Sequence, residues 1–188
     1  MNVQAQKAIL EIKEKGFAVI PSVLDKETIS KYKKLVELTP SNSYEHKNTH
    51  RFHGNPKNIS LISNLQNKDF DFWKKEIGGE EIAYNTLRLK KSGDPKKISG
   101  YKEGAWWVQN LAAQIPVELM GNIKNEKVLD LCAAPGGKTA QLLNEGALVT
   151  ALDISEKKIK KLSSNISRLN LEKNLTAISK DFLKWNSE

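Results

Sequence analysis

The chain has 188 residues, of which 39% are hydrophobic and 28% charged, and its mean hydropathy is −0.51. These values are typical of a globular protein with one domain or two small ones. No apolar run approaches the ~20 residues that span a bilayer, and residues 1–6 lack a signal-peptide pattern, so we expect a cytoplasmic protein with no membrane partner. Cys132 is the only cysteine, which excludes an internal disulfide and a multi-cysteine metal site.

The positive charge is concentrated in the second half of the chain. Of the net charge of +8, residues 84–188 contribute +6, with 17 basic and 11 acidic side chains, and residues 1–83 contribute +2. A basic half favours a polyanionic partner such as RNA. Lysines that only decorate solvated helix faces are the alternative.

The N-terminal part predicts a helix, a short strand and a second helix. Residues 5–15 have helical spacing, and Phe17–Ile20 form a short apolar run that Pro21 closes. Asp25 is a good N-cap for a helix over Lys26–Glu37, with its apolar residues on one face.

This opening weakly resembles the N-terminus of the phytanoyl-CoA dioxygenase family over residues 8–80, chiefly through Gly16 to Ile29. The resemblance implies an iron site built from His-x-Asp and a distant histidine. All three histidines, His46, His50 and His53, are clustered, and none is followed by x-Asp. We therefore expect no metal site and interpret residues 44–58 as a polar loop.

Residues 59–83 predict a short helix or turn at 59–64, followed by aromatic core anchors at Phe70, Phe72 and Trp73. The Gly78-Gly79 pair marks a break, and we place a domain boundary near Tyr84. The chain then divides into an N-terminal α+β region, residues 1–83, and a C-terminal region, residues 84–188.

A basic loop follows a predicted strand at Thr86–Leu89. Residues 90–99 contain Lys90, Lys91, Lys96 and Lys97 together with Gly and Pro. Lysines in such a loop can hold RNA phosphates without base readout. A solvated linker is the alternative.

Trp106-Trp107-Val108 predicts a strand, and Asn110 predicts the N-cap of a helix over residues 111–120. The two tryptophans can either stack on a base or pack the helix against a sheet, and packing is the favoured interpretation.

The central run of the chain is Val128 to Thr139, with the letters VLDLCAAPGGKT. A short apolar strand, a turn of small residues with Pro-Gly-Gly, and a helix over residues 139–143 are typical of the start of a βαβ unit. The small residues leave the backbone accessible to a ligand. The spacing fits neither G-x-x-x-x-G-K-[ST] nor G-x-G-x-x-G, so a turn without a ligand stays open on spacing alone.

These residues strongly resemble the first S-adenosylmethionine-binding motif of the Sun/RsmB-type RNA (cytosine-5) methyltransferases, and the resemblance covers residues 86–188. The segment Val108-Gln109-Asn110 resembles the family's Val-Gln-Asp, with Asn in place of Asp. The resemblance implies an α/β fold, namely the first three parallel strands of a Rossmann-like methyltransferase domain, with S-adenosylmethionine as cofactor and ribosomal RNA as partner. It implies that these residues bind the cofactor: Cys132, Ala133, Ala134, Pro135, Gly136, Gly137, Lys138, Asp153 and Asp181.

Two acidic residues follow the next two predicted strands. Asp153 ends the strand at residues 148–153 and lies 16 residues beyond Gly137, a spacing that suits a carboxylate on ribose hydroxyls. Capping the next helix, residues 156–170, is the alternative role, and Ser155 can perform it instead. Asp181 follows the strand at 175–179, and the resemblance implies a contact with the adenine amino group.

The family's catalytic segment Asp-Ala-Pro-Cys and its nucleophilic cysteine have no counterpart in the sequence. We therefore predict no catalytic residue and a methyltransferase domain truncated after its third strand, inactive alone. A second chain could complete the sheet. Cys132 is expected to be a small buried residue. A non-catalytic RNA- or partner-binding module and a dioxygenase-related fragment are the alternative functions.

Overall fold

The computed structural model describes residues 10–11, 25–37, 60–63, 70–83, 86–89 and 94–185. The chain forms two compact units, residues 1–37 and residues 38–188. In the first unit the predicted helix α1 is confirmed over Lys26–Glu37, and Asp25 Oδ1 accepts a hydrogen bond from the Thr28 N–H at 2.7 Å. Most of the helix predicted at residues 5–15, and the strand predicted at 17–20, lie outside the described residues.

The second unit contains two sheets and their helices. Its elements in chain order are β1 (Ser60–Ser63), α2 (Phe70–Ile77), β2 (Glu80–Ala83), β3 (Thr86–Arg88), β4 (Trp106–Val108), α3 (Leu111–Glu118), β5 (Lys127–Leu131), α4 (Gly137–Asn144), β6 (Leu148–Asp153), α5 (Glu156–Arg168) and β7 (Leu175–Ser179). Short 3₁₀ helices lie at Pro95–Lys97, Glu172–Asn174 and Phe182–Lys184. None of the helices in the described part of the chain is long and apolar enough to cross a membrane.

The first four strands form an antiparallel sheet in the order β2-β3-β1-β4. The helix or turn predicted at residues 59–64 is wrong, because β1 lies between two strands and Ile62 pairs with both Thr86 and Trp107. Pairing with distant strands overrides the weak local signal of this short segment. The sheet takes strands from both sides of the proposed boundary at residues 83 and 84, and the division into those two domains stays a prediction.

The last three strands form a parallel sheet in the order β5-β6-β7. Val149 and Ala151 of β6 belong to one buried apolar cluster with residues of α4 and α5, including Leu143 and Leu162. Both crossover helices therefore cover the same face of the sheet. The predicted α/β fold with three parallel strands is confirmed, and parallel order brings the carboxyl ends of the three strands to one edge.

The other face and the outer edge of β5 are more open. Leu129 and Leu131 are about two-fifths exposed, at 40% and 41%. Within the described residues β5 pairs with β6 alone. An edge strand with exposed leucines is a surface on which a further strand can pair.

The aromatic residues of α2 differ in burial. Phe70 is buried, and Trp73 packs against the cluster around Trp106, which agrees with the predicted core role. The prediction for Phe72 is wrong, because its side chain is 57% exposed. Phe70 and Phe72 are two residues apart, and on a helix this spacing points side chains in different directions.

Candidate functional site

The turn after β5 is bonded to the neighbouring strand. Ala133 N–H donates to Leu152 O at 3.0 Å, and Gly136 N–H donates to Ala133 O at 2.9 Å. Gly136 has φ +100°, a left-handed backbone conformation that favours glycine. We call residues 132–137 the glycine turn.

Cys132 is exposed, so its prediction as a buried residue is wrong. The residue directly follows β5, whose outer edge carries no partner strand in the described part of the chain. Its φ of +55° also sets it apart from the extended strand.

Side chains from two other segments lie against the glycine turn. A Cβ placed on Gly136 would lie 3.0 Å from Leu162 Cγ of α5, and one on Gly137 would lie 3.7 Å from Gln109 Cγ. Asn165 Nδ2 donates to Pro135 O at 2.9 Å. The turn is thus held against α5 and against the segment before α3, with close approaches that a larger residue at position 136 would disturb.

Helix α4 begins at the turn with an uncapped N-terminus. Its N-cap is Gly136, which supplies no side-chain hydrogen bond. The first N–H groups of a helix have no partner within the helix, and the helix dipole makes this end favourable for anionic groups. The predicted residue Lys138 lies exposed in this first turn and adds a positive charge.

Asp130 and Thr139 join the strand to the helix beneath the turn. Thr139 Oγ1 donates to Asp130 Oδ2 at 2.6 Å, and Thr139 is fully buried. Burial raises the pKa of the Asp130 carboxyl above its usual value, while the hydrogen bond from Thr139 and the charge of Lys138 oppose that rise. The pair ties the end of β5 to the first turn of α4.

Asp153 is buried at the carboxyl end of β6, with 6% of its surface exposed. Its Oδ1 accepts a hydrogen bond from Ser155 N–H at 3.1 Å, which orients the carboxylate. Ser155 is the N-cap of α5, because its Oγ accepts from Lys158 N–H. Helix α5 is therefore capped by Ser155, and Asp153 is not needed as its N-cap.

Asp181 follows β7, the strand that pairs with the strand of Asp153. Asp153 pairs with Ser179 in the sheet, and its carbonyl accepts from Lys180 N–H at 3.1 Å. Asp181 is half-buried, and its Oδ1 accepts from Leu183 N–H at 3.0 Å, which caps the 3₁₀ helix at residues 182–184. The fold thus brings the glycine turn, Asp153 and Asp181 to three neighbouring strand ends.

The predicted RNA-binding lysines are only partly described. Lys96 and Lys97 are exposed on the 3₁₀ helix Pro95–Lys97, whereas Lys90 and Lys91 lie outside the described residues. His46, His50 and His53 also lie outside the described residues. Trp106 and Trp107 are 1% and 4% exposed, which agrees with packing rather than base stacking.

Sequence reasoning missed a set of buried hydrogen bonds next to the turn. Gln109 Nε2 donates to Gln141 Oε1 at 3.0 Å, and both side chains are buried. The signal in the sequence is indirect: Gln109 directly follows the apolar run Trp106–Val108, and Gln141 stands next to Leu142 and Leu143 in the helix after the turn.

Comparisons with known proteins show which family this chain is similar to. The family described as 16S rRNA methyltransferase RsmB/F matches residues 118–187. Ribosomal RNA small subunit methyltransferase B of Photorhabdus laumondii subsp. laumondii is 36% identical over 164 residues, covering 72% of this chain and 38% of that protein.

Solved structures share the fold. The crystal structure of PH0851 has a TM-score of 0.60 at 21% identity, covering 89% of this chain and 42% of that one. A methyltransferase homolog protein from Pyrococcus horikoshii has a TM-score of 0.50 at 19% identity, covering 66% of this chain and 44% of that one. The chain thus spans about two-fifths of the length of these relatives.

The parallel sheet, its crossover helices and the glycine turn define a part of a methyltransferase-type α/β domain. Over its C-terminal part the chain is similar to the RsmB/F, or Sun-type, rRNA methyltransferase family, which confirms the resemblance predicted for that part. None of these matches supports the resemblance of residues 8–80 to a dioxygenase.

Proposed function

We propose that the chain binds S-adenosylmethionine at the carboxyl edge of β5-β6-β7 and is the cofactor-binding part of an rRNA cytosine-5 methyltransferase. The observation that carries the proposal is the convergence of the glycine turn with two carboxylates. Hydrogen bonds from Ala133 to Leu152 and from Lys180 to Asp153 join the three strand ends into one edge.

The proposed site uses each group for a distinct part of the cofactor. The N-terminus of α4 and the backbone of residues 132–137 would hold the methionine end, whose carboxylate suits a helix N-terminus. The buried, oriented carboxylate of Asp153 would accept hydrogen bonds from both ribose hydroxyls. Asp181 would contact the adenine amino group.

The proposed chemistry stops at cofactor binding. Cytosine-5 methylation needs a thiolate that adds to the base and activates C5. Cys132 is the only cysteine and belongs to the glycine turn itself. We therefore infer that these 188 residues bind the cofactor without transferring its methyl group, and that the second chain predicted to complete the sheet would pair at the open edge of β5.

Calorimetric titration with S-adenosylhomocysteine tests the cofactor site. Asp153→Asn keeps an acceptor for the Ser155 N–H but removes the charge, and we expect Kd to rise about ten- to a hundredfold, since a hydrogen bond to a charged group contributes about 1.5–3 kcal/mol. Glu172→Gln is the matched control, because Glu172 is an exposed acid before β7, at the opposite end of the strand. Absence of binding by the folded, unaltered chain would refute the proposal.

The proposed RNA contact has a separate test. Lys96 and Lys97 are exposed, and their replacement by alanine should weaken binding of a 16S rRNA fragment and reduce the salt dependence by roughly 0.7 per lost phosphate contact. Lys173→Ala, an exposed lysine beside Glu172, is the control. Salt-sensitive RNA binding by a chain that shows no affinity for the cofactor would instead support the non-catalytic RNA-binding module.

A further inference from the structure

A continuous series of hydrogen bonds, two of them buried and the last one partly buried, runs from β4 to the end of α3. Trp107 Nε1 donates to Gln109 Oε1 at 2.9 Å, Gln109 Nε2 donates to Gln141 Oε1 at 3.0 Å, and Gln141 Nε2 donates to Glu118 Oε1 at 3.0 Å. Trp107, Gln109 and Gln141 are 4%, 7% and 4% exposed. We call these four residues the amide relay.

The amide relay has one direction. An indole N–H can only donate, and an ionised carboxylate can only accept. The second hydrogen of each amide is also used, because Gln109 Nε2 donates to Ala113 O at 3.1 Å and Gln141 Nε2 to Gln114 O at 3.3 Å. If either glutamine amide were rotated by 180°, its N–H₂ would face another donor and its oxygen would face another acceptor. The indole at one end and the carboxylate at the other therefore fix both glutamine side chains in one orientation.

The amide relay also lies next to the glycine turn. A Cβ on Gly137 would lie 3.7 Å from Gln109 Cγ and 3.9 Å from Gln109 Oε1, so this side chain is a close neighbour of the first residue of α4. Gln141 stands one helical turn further along the same helix. The relay therefore includes Gln141 of α4 and lies next to Gly137, at the two ends of the first turn, and this turn supplies the N–H groups of the proposed cofactor site.

We propose that the amide relay sets the position of the glycine turn for cofactor binding, which makes Gln109 and Gln141 positioning residues of the site. The inference rests on the proposed cofactor function. An apolar cluster of equal volume would fill the same space, but it would not fix the rotation of α4 about its own axis. A fully paired, directional series of hydrogen bonds does so.

Two tryptophan variants provide a matched test. Trp107→Phe removes the donor at the start of the series. Trp106→Phe removes the indole N–H of a similarly buried side chain, which donates to Ser99 O at the same distance of 2.9 Å but outside the relay. We expect similar losses of stability in urea denaturation, and a rise in Kd for S-adenosylhomocysteine of about three- to tenfold in Trp107→Phe alone.

Proton–nitrogen correlation spectra of the indole groups supply a readout that a purely structural role would not change. Addition of S-adenosylhomocysteine to the unaltered chain should shift the Trp107 Nε1–H signal and slow its hydrogen exchange, and leave the Trp106 signal in place. Gln141→Met, which breaks the relay inside α4, should raise Kd in the same direction and serves if Trp107→Phe does not fold.

The outcomes separate this inference from the proposed function. If the folded, unaltered chain does not bind S-adenosylhomocysteine, the proposed function and this inference both fail. If it binds, and the two tryptophan variants have equal affinities or the Trp107 signal does not respond, only the amide relay loses its positioning role.

Discussion

Gly136→Ala tests how tightly the glycine turn is packed. Gly136 has φ +100°, and an added Cβ would lie 3.0 Å from Leu162 Cγ. A left-handed backbone costs an L-residue about 1–2 kcal/mol, and overpacking against a buried leucine costs about 1–3 kcal/mol more. We therefore expect the free energy of unfolding to fall by about 2–5 kcal/mol.

The control for this substitution is Gly121→Ala. Gly121 has φ +69°, but nothing lies within 4 Å of an added Cβ, so only the backbone term of about 1–2 kcal/mol applies. Urea denaturation followed by circular dichroism gives both values. Equal losses in the two variants, or a loss below about 0.5 kcal/mol for Gly136→Ala, would refute the packing argument.

Repeating Gly136→Ala in a Leu162→Ala variant separates the cost of crowding against Leu162 from the cost of the left-handed backbone. Leu162→Ala alone should cost about 2–5 kcal/mol, because its side chain is fully buried. In that background Gly136→Ala should cost about 1–3 kcal/mol less than in the unaltered chain, since the crowded Leu162 side chain is gone. Additive losses would show that the two residues do not press on each other. In the variants that stay folded, Gly136→Ala should also weaken S-adenosylhomocysteine binding.

Two further substitutions test contacts outside the turn. Because the pKa of Asp130 is raised in the folded state, ionisation of this carboxyl lowers the stability of the chain as pH rises through that pKa. Asp130→Asn should therefore be more stable than the unaltered chain at pH 7, and the difference in stability should shrink as the pH is lowered. Urea denaturation at decreasing pH measures this difference, and a difference that grows would contradict the prediction. Arg168 donates hydrogen bonds to Tyr101 O and Trp106 O, and its guanidinium lies 3.9 Å from the centre of the Tyr101 ring. Arg168→Met should therefore lower the free energy of unfolding by about 2–4 kcal/mol. A loss below about 0.5 kcal/mol in urea denaturation would show that these contacts of Arg168 do not stabilise the fold.

The open edge of β5 bears on any assay of the chain. Leu129 and Leu131 leave apolar surface at this edge, and edge strands of this kind can pair with other chains. Binding and denaturation experiments should therefore be carried out at several protein concentrations, because self-association would make the measured stability depend on protein concentration.

The sequence alone determined the parts of the fold that depend on local signals. The strand at 148–153, the strand at 175–179 and the helix after Ser155 follow from short apolar runs, period and capping chemistry, and the structure has them at nearly the predicted bounds. The glycine turn was equally predictable, because Gly136 suits both its left-handed backbone conformation and its close approach to α5.

Only the tertiary structure decided features that depend on distant partners. Residues 60–63 form a strand because β3 and β4 lie on either side of it, and the exposure of Cys132 depends on which elements pack around the end of β5. The pairing of Gln109 with Gln141 joins residues 32 positions apart. No local pattern specifies such contacts, since burial and hydrogen-bond partners are fixed only when separate elements pack together.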